Sequence, residues 1–191
     1  MEALVAGLIL FLGAHSLRIV APAVRGRLVA SLGEGPWKGL YSLISAVGLG
    51  LIIYGFGAAG EQEPLWRPPL FARHLSALLM LVAFVLLAAA YVPGNRLKAG
   101  LGHPMVLAAK TWAFAHLLSN GQPRDLLLFG AFLVWAIVAY ASLRRRDRAA
   151  GVAPPAGSAT GDMAVIAAGL VGWALFAFLL HRMLIGVSPL G

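Results

Sequence analysis

The chain has 191 residues, of which 60% are hydrophobic and 12% charged, with a mean hydropathy of +0.85. A soluble domain carries about 25% charged residues, so composition excludes that class, and the long apolar runs indicate a polytopic membrane protein. The net charge of +8 does not point to nucleic acid. Its basic residues cluster in connectors beside apolar runs, where they set topology against anionic headgroups. Cysteine is absent, which excludes disulfides, thiolate metal sites and Fe–S clusters. Any metal or haem must then be held by His, Met or oxygen.

In chain order, a first span is expected over residues 3–24, with His15, Ser16 and Arg18 inside it and Pro22 near its end. Glu2 precedes it where a signal peptide would carry positive charge, so a cleaved leader is a poor match. A basic connector, residues 25–38, leads to a second span over 36–59. There Ser42, Ser45 and Gly48 form a small-residue stripe suited to close helix packing. The connector EQEPLWRPP places Trp66 at a membrane–water interface. A third span, 72–92, opens on Arg73-His74, and PGNRLKAG then signals a turn. The fourth span, 101–118, ends at the NGQPRD turn. A fifth, 126–143, stops at the basic run Arg144–Arg148. Residues 149–160 read as a flexible linker, and a sixth span, 163–185, carries His181-Arg182. The expected fold is a single all-α membrane domain over 1–191, a helix bundle with about six transmembrane helices.

Orientation follows from the positive-inside rule. Connectors one, three and five hold nine basic residues: Arg25, Arg27, Lys38, Arg96, Lys98, Arg144, Arg145, Arg146 and Arg148. The opposite side holds four: Arg67, Arg73, Arg124 and Arg182. This predicts odd connectors in the cytoplasm and both termini outside, periplasmic in a bacterial inner membrane.

The fourth span concentrates the unusual residues. His103, Lys110, His116 and Asn120 stand in or beside an apolar helix, and ionisable groups at bilayer depth each cost about 2.5 kcal/mol or more unless partnered. His116 is the foremost candidate. Ala113 and Ala109 leave room beside it for a flat macrocycle, Trp112 is its i−4 neighbour, and Asn120 at i+4 can orient a ring nitrogen. His103 and Lys110 share a face that diverges from His116 by roughly 120–140° at 100° per residue. Arg18 either snorkels to the interface or joins His15 in meeting an anionic group. Lys110 has no intramembrane carboxylate to pair with, which weakens a proton- or cation-coupled transporter reading.

The segments GEGPWKGLYSLISAVGLGLIIYGF, RHLSALLMLVAFVLLAAAYVPGNRLKAGLGHPMVLAAKTWAFAHLLSNG, LLFGAFLVWAIVAYASLRRRDR and LIGVSP strongly resemble the NnrU family over nearly the whole chain. The HP-x(11)-AHLLxNG block carries the specificity. The resemblance implies a bacterial integral membrane protein linked to denitrification and nitrogen-oxide metabolism. It also implies kinship with the plant and cyanobacterial cis-zeta-carotene isomerase, a membrane enzyme that uses haem b. By that resemblance the axial histidines correspond to His15, in the segment GAHS, and His116. His74 is a substitute ligand or distal group, since idealised helices put His15 and His116 roughly 10 Å apart in depth. Three readings follow. One is a haem-b protein with redox, nitric-oxide or polyene-isomerising chemistry on a hydrophobic substrate. Another is a non-enzymatic partner or assembly factor of a respiratory nitrogen-oxide complex. The third is a transporter or lipid-ligand protein using Lys110 and the histidines as a polar pathway.

Overall fold

Apolar runs of Ala, Leu, Val and Gly have no water to satisfy their backbone in a bilayer, so each closes its hydrogen bonds within itself as a helix. The computed structural model describes residues 1–153 and 156–190. Its helices are α1 (Glu2–Val20), α2 (Pro22–Leu32), α3 (Glu34–Ala58), α4 (Leu70–Tyr91) and α5 (Arg96–Leu101). They continue with α6 (Pro104–Ser119), α7 (Pro123–Ala149) and α8 (Ala159–Leu175), which runs through a π-helical stretch, Phe176–Leu180, into α9 (His181–Ile185). Among the described residues, five helical segments, α1, α3, α4, α7 and the continuous α8–α9 unit, are long and apolar enough to cross a membrane. α6 has 16 residues, about 24 Å at 1.5 Å per residue, and falls short of the roughly 20 residues a span needs. It is nevertheless flanked by protein on both sides, packing against α4 and α7.

Boundaries moved where Pro and Gly act. The first span ends at Val20, because Pro22 cannot continue α1's hydrogen bonding. The following residues, read as a connector, form α2, which packs against α1 and α3. The PGNR turn leads into the short helix α5, capped by the Asn95 side chain accepting from the Lys98 N–H at 2.6 Å. Of the expected linker, Pro154 and Pro155 lie outside the described residues. Its end is pinned, with the Ser158 N–H donating to Gly94 O at 2.8 Å. Nearby, the Arg96 N–H donates to Asp162 Oδ1 at 2.7 Å.

Substantial contacts run α3–α1–α7–α6–α4–α8, so the bundle is a row with α7 near its middle. The α1–α3 pair is set by glycines. A Cβ on Gly7 would meet Ile52 N at 2.6 Å, one on Gly48 would meet Phe11 N at 2.8 Å, and one on Gly55 would clash with Leu4 N. These backbones touch directly, as small residues permit in membranes. The predicted stripe is thus displaced: Gly48 faces α1, while Ser42 is exposed. On the side of the chain termini, the two connectors lock together. Gln122 Oε1 accepts from the Gln62 N–H, Gln62 Oε1 accepts from the Arg124 N–H, each at 3.1 Å, and Gly121 abuts the Trp66 carbonyl.

Gly55→Leu is expected to destabilise the fold by at least about 1–3 kcal/mol. Gly57→Leu, where an added Cβ meets nothing within 4 Å, should be close to neutral. Denaturant unfolding in detergent micelles compares them, and equal effects would refute the glycine contact as the determinant of this pair.

Candidate functional site

His15 and His116 share a local design. Each has an aromatic residue one turn earlier, Phe11 and Trp112, and each ring turns back on that residue's carbonyl. His15 Nδ1 lies 2.7 Å from Phe11 O and His116 Nδ1 lies 2.9 Å from Trp112 O. A carbonyl only accepts, so both Nδ1 atoms carry a proton, and in the neutral ring the lone pair is then on Nε2. That is the tautomer in which a neutral imidazole binds a metal through Nε2.

The two rings end one aromatic seam centred on α7. His15 stacks on Phe11 at 4.3 Å between ring centres, and Phe11 meets Phe132 at 5.8 Å. Phe132 meets Trp112 at 5.4 Å, and Trp112 meets His116 at 5.3 Å. His116 also stacks on Phe129 at 4.5 Å, while Trp135 and Tyr41 close around His15. Trp135 and Phe129 are six residues apart on α7, about 9 Å of helix rise. The depth difference expected from idealised helices is therefore present, and three aromatic rings stand between the imidazoles. With metal–nitrogen distances near 2 Å, the pair does not fit around one iron in this arrangement. Each imidazole keeps one nitrogen, Nε2, outside its own helix's hydrogen bonding.

The other candidates separate. Asn120 caps α6: its Nδ2 donates to His116 O at 2.8 Å and to Ser119 Oγ at 3.2 Å, and the His116 ring is oriented by Trp112 instead. His74 is level with His116, because Ser76 Oγ donates to Ala115 O at 2.7 Å across α4 and α6. Its side chain is exposed and lies about 200° around α4 from Ser76 at 100° per residue, so the two imidazoles do not face each other. Lys110 diverges from His116 as expected and lines a small apolar groove with Leu79, Thr111, Phe114, Leu133 and Ile137. His103 stands just before α6, its Nε2 at 2.8 Å from Asp147 Oδ2. Arg144 flanks the same carboxylate at 3.8 Å. Arg18 is exposed, and its carbonyl accepts from Arg146 Nη1 at 2.9 Å. His181 begins α9 after the π-helical stretch, and its Nδ1 donates to Val187 O at 2.7 Å.

Sequence reasoning missed Asp147, Trp135 and the Phe11–Phe132 link. The repeated aromatic-x-x-x-His spacing was the available signal, since residues four apart on a helix are neighbours. Asp147 lay hidden inside a run read as topology charge. Among the described residues, no group of three or more His, Asp or Glu side chains forms a metal cluster.

The model of the family described as NnrU protein matches residues 3–189, and the chain belongs to the NnrU family. No curated protein matches the chain, and neither does any solved structure.

Nitrogen NMR of histidine-labelled protein in nanodiscs is expected to find the proton of His15 and of His116 on Nδ1. A proton on Nε2 of either ring would contradict the assigned hydrogen bonds.

Proposed function

We propose that this NnrU-family membrane protein binds haem b on the aromatic seam, with His116 as axial ligand and His15 as the second site of ligation on the same seam. The observation that carries the reading is the pair of imidazoles with Nδ1 tied to their own helices and Nε2 left open. Flat aromatic side chains beside both rings suit a macrocycle, and the absence of cysteine leaves histidine as the strongest ligand type in the chain. Because the two rings stand at different depths, His116 and His15 would each hold the group alone, through Nε2, rather than together. Haem, when bound, supplies a redox centre open to small nitrogen oxides or to an unsaturated hydrophobic substrate. The chain's own part is to hold the ligand tautomer, exclude water with Phe11, Trp112, Phe129 and Phe132, and leave the outer faces of the helices to lipid. The protein resides, on this reading, in the bacterial cytoplasmic membrane with its termini in the periplasm. The excess of basic residues on the α2, α5 and Arg144–Arg148 side supports that orientation.

Expression with ample haem should give a Soret band and sharp reduced α/β bands in the purified protein. His116→Ala should remove most of the bound haem while thermal unfolding stays near wild type, and His15→Ala should have the smaller effect. Unchanged haem content in His116→Ala would sink this ligand assignment. A featureless visible spectrum in the wild type would favour the haem-free partner of a respiratory nitrogen-oxide complex.

A further inference from the structure

His181 has the same tautomer as His116, although its partner lies forward in the chain. Gly186 ends α9 in the left-handed region, at φ +83°, where a side chain would be strained, and turns the tail back. Val187 O then accepts from His181 Nδ1 at 2.7 Å, so in the neutral ring the lone pair is on Nε2.

A π-helical turn decides where that ring points. The His181 N–H donates to Phe176 O, five residues earlier. In such a turn residues five apart stand one above the other, and the His181 ring meets Phe176 edge to face at 5.8 Å. In an α-helix the two would diverge by about 140° at 100° per residue. Phe176 in turn meets Phe84 of α4 at 5.7 Å. Single π-helical turns inside α-helices recur at functional sites.

Phe84 and His116 look onto the same side of the bundle. The small groove lined by Leu79, Phe114 and Lys110 marks the other side. Phe84 lies about 140° around α4 from Leu79, and His116 about 160° around α6 from Phe114, at 100° per residue. Depth agrees as well. The bond of Ser76 Oγ to Ala115 O puts His116 level with Leu75. A Cβ on Gly169 would meet Val85 Cα at 2.7 Å. Since α8 runs antiparallel to α4, His181, twelve residues beyond Gly169, is level with Arg73. The two histidines therefore differ by two residues of α4, about 3 Å of rise. They are also close enough to interact electrostatically.

Resting on the haem reading, we propose that the π turn delivers His181 as the axial ligand opposite His116, so that one haem is shared by α6 and α9. Phe84, Phe176 and Trp112 supply flat rings on that side. His15, beyond Phe11, Phe132 and Trp112 on the seam, has no part in this centre. Filling both axial positions with imidazole selects electron transfer among the chemistries a haem offers here.

The test uses the full chain, loaded with haem in lipid nanodiscs, and reads electron paramagnetic resonance and absorption of the ferric protein. Wild type is expected to be six-coordinate and low-spin, with the signature of two imidazole ligands. His181→Ala should keep its haem and turn high-spin, and added imidazole should restore the low-spin signal in a folded protein. Deletion of Ala177, which returns the stretch to α-helical bonding and turns His181 by about 100°, should give the same high-spin spectrum. His74→Ala should match wild type. A low-spin signal that survives both changes at His181 and Ala177 would overturn this ligand while leaving haem on His116, as would a high-spin wild type. A wild type with no Soret band would overturn the haem reading itself, and His181 as a ligand with it.

Discussion

In a bilayer every polar group must find its partner inside the protein, because the hydrocarbon offers none. The described side chains meet this demand repeatedly by turning onto helix carbonyls, each of which has a second lone pair to give. His15 and His116 bond one turn back on their own helices, while Ser76 and Trp173 reach across to Ala115 O and Ala77 O. For serine and tryptophan the demand is then met. For histidine it fixes a tautomer and leaves one nitrogen with a lone pair and no acceptor role within its own helix. The rule that stabilises the span thus prepares the two groups best suited to ligate a metal.

Helix α7 converts these local arrangements into a molecule. It packs beside α1 on one flank and α6 on the other, so Phe132 can touch Phe11 and Trp112 at once. Its opposite side carries Gly130 and Val134 in a groove between α1 and α7. The α1–α3 glycine contacts hold one end of the row, Gly169 against Val85 holds the α4–α8 end, and the Gln62–Gln122 and Gln62–Arg124 bonds tie the α3–α4 connector to the start of α7. Short α6 is tolerable because protein covers both its flanks, and because Tyr140 donates to Leu101 O at 2.9 Å near its start. The NnrU family match over residues 3–189 spans all of these elements.

Much of the fold was legible from the chain. Six apolar runs and the PGNR and NGQP turns follow from local chemistry that tertiary packing does not overrule. The first helix, by contrast, breaks before Pro22 rather than running to Val24. The helix of the fifth run continues through Arg144–Arg148 to Ala149, because basic side chains end an apolar run without ending a helix. The expected divergence of Lys110 from His116 also holds, since helical periodicity alone fixes it. Less legible were α2 and α5. Their basic residues looked like loop charge, yet both segments are helices, α2 opened by Pro22 in its first turn and α5 capped by Asn95. Asn120 was read as a ring-orienting group, whereas the open end of α6 claims its amide.

The sequence by itself determined the solvent, the number of apolar runs, the family and the identity of the candidate ligands, because these depend on composition and short-range periodicity. Tertiary structure decided which helices are neighbours. That choice rests on where glycine and alanine let backbones touch, a property of pairs of distant segments with no signature in either one alone. It put His15 and His116 on one aromatic seam but at different depths. It gave His103 the carboxylate of Asp147, 44 residues away, and it opened a groove between α1 and α7, separated in sequence by more than a hundred residues.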